Sequence, residues 1–494
     1  MSEVRQVFNF IAGGKRPGVS TFEKVSPVDG RLIALVHEAD RQIVRDAVGS
    51  GYLAMKGPWG RSSPEERAQI LFRAAEIVSS RSRELAALEA EEIGRPVLQV
   101  QGGHVARTIE VLRLYAEELL SSRQSAYPGR AIGPGVSLST ASEVITYTLR
   151  KPRGVVGIIS PWNVPILLLA INLAPALAAG NAVVIKPSEE APSSAVALAE
   201  ILVEAGLPTG AISVVQGFGA NSAGEFLTSD ERIAAFGFTG EPSTGSAIMR
   251  AAAEGLREVL LELGGKNPAI IFADADLSAA IAAIARAAFT NTGQVCLCME
   301  RVYVERSVFD QVVAGVAEAA KKLRLGAPDD PAADIGPVIG RKHQARVMGY
   351  IQRAIVDGAQ VRAGGTVPVF GDRRDSGAFV TPTVLTGLPE TAEFNREEVF
   401  GPVVHLAPFD TEEQAVKLAN DSPSGLAAMT WTKDLSRAHR VSGRINAGIS
   451  WVNCWQLRDL RTPLEGHGRS GVGIQGARES LDFYSALQTV TIQL

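Results

Sequence analysis

The sequence has 494 residues, of which 46% are hydrophobic and 21% charged, and its 49 basic and 53 acidic residues give a net charge of −4. This composition is typical of a globular protein of about two to four domains, not of a disordered or fibrous chain. The near-neutral balance argues against nucleic acid as a partner, because no basic excess is available to neutralise phosphates. Three cysteines cannot form a disulfide framework and the first residues lack the apolar core of a signal peptide, so we expect a cytoplasmic location.

The first part of the chain carries amphipathic segments that predict helices. Apolar residues recur at helical spacing near 40–57, 64–92 and 101–122. The second segment follows Ser63 and opens with Pro64, an N-cap and a first-turn proline typical of a helix start.

Two segments alternate polar and apolar residues and predict exposed strands. The first, 126–150, carries a Gly and Pro cluster at 129–135 and then alternates over 143–150, and the second is 486–494. Because strand edges of this kind often pair with another subunit, we expect a homodimer or homotetramer.

The stretch 154–185 contains no charged residue and on length alone is long enough to span a bilayer. Prolines and asparagines interrupt it, however, and lipid-exposed loops do not occur within the hydrocarbon region, so we expect no membrane association. The pattern instead predicts a buried strand at 154–160, a helix from Pro165 to Gly180, and a second buried strand at 182–186. This is the unit of a parallel sheet that is covered on both faces.

Strands and helices continue to alternate, which predicts a doubly wound α/β fold. Further strands are predicted at 212–216, 233–238 and 258–263, and further helices at 193–205, 222–228 and 243–253. A second α/β pattern begins at 269–272 and continues through helices at 277–289, 307–323 and 340–356.

Two polar segments at predicted strand ends are candidates for ligand binding. In the Gly-rich turn 236–240, backbone N–H groups can approach a phosphate, but an ordinary tight turn is at least as good an explanation. Lys186 and Glu189 follow a buried strand, and an acid there can bond ribose hydroxyls and repel a 2′-phosphate. A solvated strand end is the simpler explanation of this pair if nothing else agrees.

Cys296 and Glu262 are candidates for covalent chemistry. Buried cysteine is usually a small hydrophobic residue, so Cys296 alone is more easily explained as structural. Glu262 lies in a predicted apolar strand, where valine or isoleucine is the usual residue. A desolvated carboxylate has a raised pKa, as a general base near neutral pH requires. Neither the cysteines nor the six histidines have convincing metal-ligand spacing, so we expect no metal.

Six motifs together resemble the aldehyde dehydrogenase superfamily, in the family's order and over essentially the whole chain. They are Pro161-Trp162-Asn163-Val164-Pro165, Lys186-Pro187-Ser188-Glu189, Phe238-Thr239-Gly240, Leu261-Glu262-Leu263-Gly264-Gly265-Lys266, Gly293-Gln294-Val295-Cys296 and Glu398-Val399-Phe400-Gly401-Pro402. The resemblance implies a Rossmann-type NAD-binding domain at 1–127 and 151–262, and an α/β catalytic domain at 263–463. It also implies a small oligomerisation sheet formed by 128–150 and 476–494.

The resemblance further implies a role for each matching residue. Cys296 is expected to attack the aldehyde carbon, Asn163 to hold the oxyanion, and Glu262 to activate the water that hydrolyses the thioester. NAD is the expected hydride acceptor. The residues expected to bind it are Ser160, Trp162, Lys186, Glu189, Gly219, Thr239, Gly240, Ser243, Glu398 and Phe400.

Residues that the resemblance places near the substrate entrance depart from the usual family pattern. Leu464-Glu465 and Ile474-Gln475 stand where the family usually has Phe-Gly and Arg-Glu. The segment 457–461, Leu-Arg-Asp-Leu-Arg, resembles the 2-hydroxymuconate and 2-aminomuconate semialdehyde dehydrogenases, whose substrates carry a carboxylate at the far end.

Arg458 is therefore expected to bind a substrate carboxylate through its fork of donors. Arg113, Leu167 and Leu464 are expected to line the substrate side with it. An internal salt bridge, for example to Asp459, explains Arg458 nearly as well and is the better explanation for Arg113.

Three other functions stay open. In a broad aromatic-aldehyde dehydrogenase of the benzaldehyde type, Arg458 forms only a salt bridge. A CoA-acylating semialdehyde dehydrogenase is disfavoured, because those relatives lack a glutamate at the position of Glu262. A non-catalytic binding protein is disfavoured by the joint presence of Cys296, Glu262 and Asn163.

Overall fold

The computed structural model describes residues 4–121, 125–131 and 142–494, and its strands and helices form an α/β fold, as predicted. The helices of four or more residues are Arg41–Lys56, Pro64–Ser80, Ser82–Ile93, Ala106–Ser121, Pro165–Ala178, Ser193–Glu204, Ala223–Thr228, Pro242–Glu254, Leu277–Phe289, Phe309–Lys322, Arg341–Val356, Glu393–Arg396, Glu412–Asn420, Leu435–Ser442 and Ala477–Phe483. Shorter or tighter helical turns are Trp59–Arg61, Val97–Gln99, Thr290–Gly293, Arg306–Val308 and Arg373–Ser376, and Val100–Val105 is a wider π-helical turn. No described helix is long and apolar enough to cross a membrane.

The first large sheet has eight strands, and its centre is parallel. In spatial order the strands are Gly471–Val472, Glu258–Glu262, Ile233–Thr239, Val155–Ser160, Ala182–Pro187, Ile212–Val214, Asn9–Ile11 and Gly14–Arg16. Five of them run parallel, so their carboxyl ends share one edge. The strand order reverses between Val155–Ser160 and Ile233–Thr239, and ligands of open α/β sheets bind in the crevice at such a reversal.

The second large sheet has seven strands, all of which lie between residues 267 and 452. In spatial order they are Gln360–Ala363, Thr383–Thr386, Val403–Phe409, Met299–Glu305, Asn267–Ile271, Ala427–Trp431 and Ile449–Val452. All neighbouring pairs are parallel except the first. Buried valine, isoleucine and alanine fill these strands, as expected where helices cover both faces.

A three-stranded sheet, here called the tail sheet, joins the two segments predicted as exposed strands. Ser142–Pro152 pairs with Ala126–Ala131 on one side and with Ser485–Gln493 on the other, so the tail pairs within its own chain. The cluster 129–135 extends beyond the described residues. Pairing of this sheet with another subunit stays a prediction.

Several elements differ from the predicted ones. The segment 64–92 is two helices, because Arg81 leaves helical geometry next to serines that compete for backbone hydrogen bonds. The segment 101–122 begins with the widened turn Val100–Val105, and residue 122 lies outside the described residues. Short strands precede the first helix and were not predicted, namely Arg5–Val7, Asn9–Ile11, Gly14–Arg16, Ser20–Val25 and Leu32–Glu38. Small ladders also pair Ser424–Gly425 with His467–Gly468 and Leu464–Glu465 with Ile474–Gln475.

Candidate active site

Cys296 lies just after a tight turn that leads into the strand Met299–Glu305. Asn291 in that turn has φ 53°, a left-handed conformation that asparagine tolerates better than most residues. Gly293 has φ 73°, and a Cβ there would lie 1.8 Å from the carbonyl oxygen of Gly401, so only glycine fits. The turn therefore packs tightly against the segment that contains Gly401, and it leaves Cys296 half-buried.

Asn163 follows the strand Val155–Ser160 and faces the same turn. It is 5% exposed, and its Nδ2 donates to the carbonyl oxygen of Gln294 at 2.9 Å. The Nδ2 of Asn291 donates in turn to the carbonyl oxygen of Asn163 at 2.9 Å. An amide nitrogen carries two hydrogens, so Asn163 can hold Gln294 and still donate to an oxyanion near Cys296.

Glu262 ends the strand Glu258–Glu262 and is 5% exposed. Its Oε1 has no hydrogen-bond partner among the described residues. Burial raises the pKa of this carboxyl to about 8, and the positive charge of Arg458 opposes that rise. A carboxyl with this pKa suits a general base near neutral pH.

The thiol of Cys296 lies in the same electrostatic environment. Burial raises its pKa above the ordinary value, the negative charges of Glu262 and Glu398 raise it further, and the charge of Arg458 opposes them. Cys298, in contrast, is buried, and the Nδ2 of Asn267 donates to both cysteine carbonyls at 2.7 and 2.8 Å. Of this pair, Cys296 is the thiol that a substrate can reach.

The crevice of the first sheet contains most of the predicted cofactor residues. Ser160, Lys186 and Thr239 lie at the carboxyl ends of adjacent parallel strands, and all three are buried. Lys186 Nζ contacts Glu189 Oε2 at 3.4 Å, and burial lowers the pKa of this ammonium. Thr239 Oγ1 is buried without a hydrogen-bond partner in the described structure. An unpaired buried hydroxyl and a cation–carboxylate pair at a strand edge fit the phosphate and ribose groups of NAD.

Three small residues lie farther out on the same side. Gly240 follows Thr239 directly, and its N–H donates to the carbonyl oxygen of Glu262 at 3.1 Å. Gly219 and Ser243 are exposed, and a Cβ at Gly219 would meet no atom within 4 Å. They leave open space beside the crevice.

Glu398, Phe400 and Trp162 meet on the other side of the crevice. Gly265 N–H donates to Glu398 Oε1 at 3.2 Å, and burial, followed by the charge of Glu300, raises the pKa of Glu398 to about 8. The rings of Phe400 and Trp162 make an edge-to-face contact with centroids 5.4 Å apart. The structure therefore brings this pair and Glu398 together near the turn after Glu262.

Arg458 lines a small pocket between the helix Ala106–Ser121 and the C-terminal segment. The pocket residues are Val111, Leu114, Tyr115, Ile171, Arg458, Leu460, Gln475 and Gly476. Asp459 pairs with Arg461 instead, and within the described part of the chain Arg458 forms no ion pair and its Nε has no partner. Burial lowers the pKa of Arg458, and the charges of Glu262 and Cys296 oppose that shift, so the guanidinium lies close to both of these side chains.

The other predicted substrate residues are more scattered. Arg113 is exposed and does not line the pocket of Arg458. Leu167 is half-buried in the helix Pro165–Ala178, and Leu464 is 3% exposed.

Arg107 is a site residue that the sequence analysis missed. Its Nη2 donates to the carbonyl oxygen of Arg458 at 3.1 Å, and its Nη1 pairs with Glu110 at 2.8 Å. The available signal was helical spacing, because Arg107, Val111 and Tyr115 share one helix face.

Comparison with known proteins shows the family of the chain. A model of the aldehyde dehydrogenase family matches residues 15–490. A 2-aminomuconic 6-semialdehyde dehydrogenase from a Pseudomonas species is 46% identical over 99% of both chains. A 2-hydroxymuconic semialdehyde dehydrogenase from Pseudomonas sp. strain CF600 is 46% identical over 100% of both chains. The NAD+ complex of a Bacillus cereus aldehyde dehydrogenase has a TM-score of 0.93 and 34% identity, covering 99% of this chain and 97% of that one.

The chain belongs to the aldehyde dehydrogenase family, as its six motifs predict. Its NAD cofactor, expected from the same motifs, is thereby confirmed. Membership of the family assigns neither a role to each residue nor the identity of the aldehyde, so both are argued from the chemistry of the site.

Proposed function

We propose that this enzyme oxidises an aldehyde that carries a carboxylate at its far end, of the muconate semialdehyde class, with 2-hydroxymuconate semialdehyde as the leading candidate. The observation that carries the proposal is Arg458, a half-buried guanidinium near Glu262 and Cys296 without an ion pair in the described structure. A cation in such a place favours an anionic ligand, because its charge is otherwise poorly compensated. The names of the two relatives at 46% identity agree with this class.

The proposed chemistry begins at Cys296. Its thiol loses its proton to solvent and the sulfur attacks the aldehyde carbon. The resulting oxyanion accepts hydrogen bonds from Asn163 Nδ2 and the Cys296 N–H. NAD, when bound, accepts the hydride that leaves the former aldehyde carbon, and a thioester on Cys296 remains. Glu262 then takes a proton from water, whose oxygen attacks the thioester carbon and releases the acid and the thiol.

The cofactor is proposed to lie across the crevice of the first sheet. Lys186 and Glu189 hold the adenosine ribose, and the free hydroxyl of Thr239 faces the pyrophosphate side with Gly219, Gly240 and Ser243. Glu398 binds the nicotinamide ribose. Ser160, Trp162 and Phe400 complete the lining on the side nearest Asn163.

The proposed carboxylate site combines Arg458 with Arg107. Arg107 contacts the Arg458 backbone, and its positive charge lies near enough to Arg458 to lower the pKa of that guanidinium further. An anion between two guanidiniums relieves their mutual repulsion. Arg113 is proposed only as an outer contact for the carboxylate, and Leu167 and Leu464 as apolar walls.

Kinetics with matched aldehydes test the substrate class. The value of kcat/KM for NADH formation should be higher for 2-hydroxymuconate semialdehyde than for benzaldehyde. A preference for benzaldehyde would support the aromatic-aldehyde alternative, and turnover that requires CoA would support the acylating one. Absence of NADH formation with every aldehyde would support a binding protein.

We also propose a cytoplasmic homo-oligomer that pairs through the tail sheet. Leu487 and Ile492 in that sheet are 65% and 48% exposed, which a subunit contact would cover. Light scattering should show a dimer or tetramer, and removal of 486–494 should shift it towards smaller species. A monomeric full-length protein would contradict this assembly.

A further inference from the structure

We infer that Glu300 is a positioning residue that holds the turn Glu398–Val399–Phe400 in the conformation needed for cofactor binding. The inference rests on the proposed roles of Glu398 and Phe400 at the nicotinamide side. Glu300 lies in the strand Met299–Glu305, four residues after Cys296, and is 2% exposed.

Glu300 contacts the backbone of this turn directly. Its Oε1 accepts the N–H of Phe400 at 3.0 Å, and its two oxygens accept the N–H of Val399 at 3.2 and 3.1 Å. It also forms an ion pair with Lys266, and both side chains are almost completely buried. A buried carboxylate with these donors is well satisfied, and hydrogen bonds to a charged group are stronger than those to a neutral one.

The turn requires such a restraint at Phe400. This residue has φ 58°, a left-handed conformation that bulky residues rarely adopt. Its N–H is bound by Glu300, and its carbonyl oxygen accepts from His343 Nε2 at 2.7 Å. The ring of Phe400 also packs against Trp162. The strained residue is therefore fixed at its N–H, its carbonyl and its ring.

The same restraint determines where Glu398 lies, two residues earlier. The Oε2 of Glu398 packs so closely on Gly264 that a Cβ on this glycine would lie 2.0 Å from that oxygen. The Oε1 of Glu398 accepts the Gly265 N–H. Lys266 follows these glycines and is the partner of Glu300. Glu300 therefore connects the segment after the catalytic base Glu262 with the turn that carries Glu398.

Two double variants separate positioning from a merely structural ion pair. Lys266→Met with Glu300→Gln removes both buried charges but keeps a side-chain oxygen for the turn. Lys266→Met with Glu300→Met removes the same charges and that oxygen as well. Titration of NADH fluorescence without aldehyde should show near wild-type affinity in the first variant. The second should bind NADH about tenfold more weakly at a temperature well below the Tm of both variants, and its Tm should be lower because two backbone N–H groups lose their acceptor.

A carboxylate elsewhere provides the matched control. Asp274 accepts the N–H groups of Lys433 and Asp434 at 3.0 and 3.1 Å and pairs with Arg437 at 2.9 Å. Asp274→Met should lower the Tm and leave NADH affinity unchanged. Equal NADH affinity in the two double variants, measured where both are folded, would overturn the inference.

Hydrogen–deuterium exchange tests the restraint without any variant. In the wild-type enzyme the amides of Val399 and Phe400 should be protected, and rapid exchange of both would overturn the inference even if every variant failed to fold.

A wild-type enzyme that binds NADH but does not oxidise the semialdehyde would contradict the proposed substrate and leave the inferred role of Glu300 unaffected.

Discussion

Replacing Arg458 by methionine tests the proposed carboxylate site most directly. Methionine keeps most of the packing of the arginine stem but removes the charge and the donors. A hydrogen bond between charged groups contributes ~1.5–3 kcal/mol, and about 1.36 kcal/mol corresponds to a tenfold change in rate. The value of kcat/KM for 2-hydroxymuconate semialdehyde should therefore fall by roughly 10- to 150-fold.

The assay compares two aldehydes at one pH. A neutral aldehyde such as benzaldehyde should be oxidised as well as before or better, because it never contacts the guanidinium. The comparison uses kcat/KM, which covers the steps up to hydride transfer, so the proposed later action of Glu262 on the thioester does not affect it. A folding defect would lower both values alike.

A neighbouring arginine is the matched control. Arg461 has a side chain that is 74% exposed and pairs with Asp459. Because exposed ion pairs contribute little, Arg461→Met should leave both substrates within about twofold of wild type. Equal losses for the two aldehydes in Arg458→Met would refute the carboxylate site and make Arg458 a structural residue.

Four further predictions concern the chemistry and the cofactor. Cys296→Ala should lose all activity but retain NAD binding, whereas Cys298→Ala, at a buried position, should keep most activity; the reverse pattern in the assay would make Cys298 the nucleophile. Glu262→Gln should give a burst of NADH in stopped-flow absorbance and then stall as the thioester accumulates, and sustained turnover would rule out its role as base. Because burial raises the pKa of Glu262 to about 8 and the carboxylate is the active form, kcat of a deacylation-limited aldehyde should rise with pH through about 8. Arg458 opposes the raised pKa, so this rise should move to higher pH in Arg458→Met, and a move to lower pH would contradict the electrostatic argument. Glu189 should make kcat/KM higher with NAD than with NADP, and Glu189→Gln should narrow the difference; an enzyme that prefers NADP would refute this assignment.

The proposed catalytic residues came from two different signals in the sequence. Glu262 is an acid at the end of an apolar strand, which breaks the local pattern, whereas Cys296 and Asn163 were proposed from the order of the family motifs. The alternation of strands and helices likewise predicted the parallel sheets, since buried strands and amphipathic helices leave strong periodic signals. The explanation of Arg458 as a partner of Asp459 was wrong, because Asp459 pairs with Arg461.

Other features depend on tertiary contacts that no local pattern reveals. Arg107 is a charged residue on an amphipathic helix, where the usual explanation is a solvated face. The left-handed conformation of Phe400 could not be predicted from the sequence, because glycine and asparagine are the residues that normally indicate such a conformation. The two-residue strand Gly471–Val472 pairs beside Glu262, a contact set by residues some 200 positions apart.

The tail sheet has a consequence for synthesis on the ribosome. Its central strand, Ser142–Pro152, pairs along its length with Ser485–Gln493, which is translated roughly 330 residues later. At a translation rate of about 5–20 residues per second, the central strand lacks that partner for on the order of 20 to 70 s. During this time the nascent chain carries an unpaired β-edge, which is open to pairing with other chains. Nearby ribosomes on one messenger therefore expose the same edge together, and the sheet can close only after Ser485–Gln493 has been synthesised.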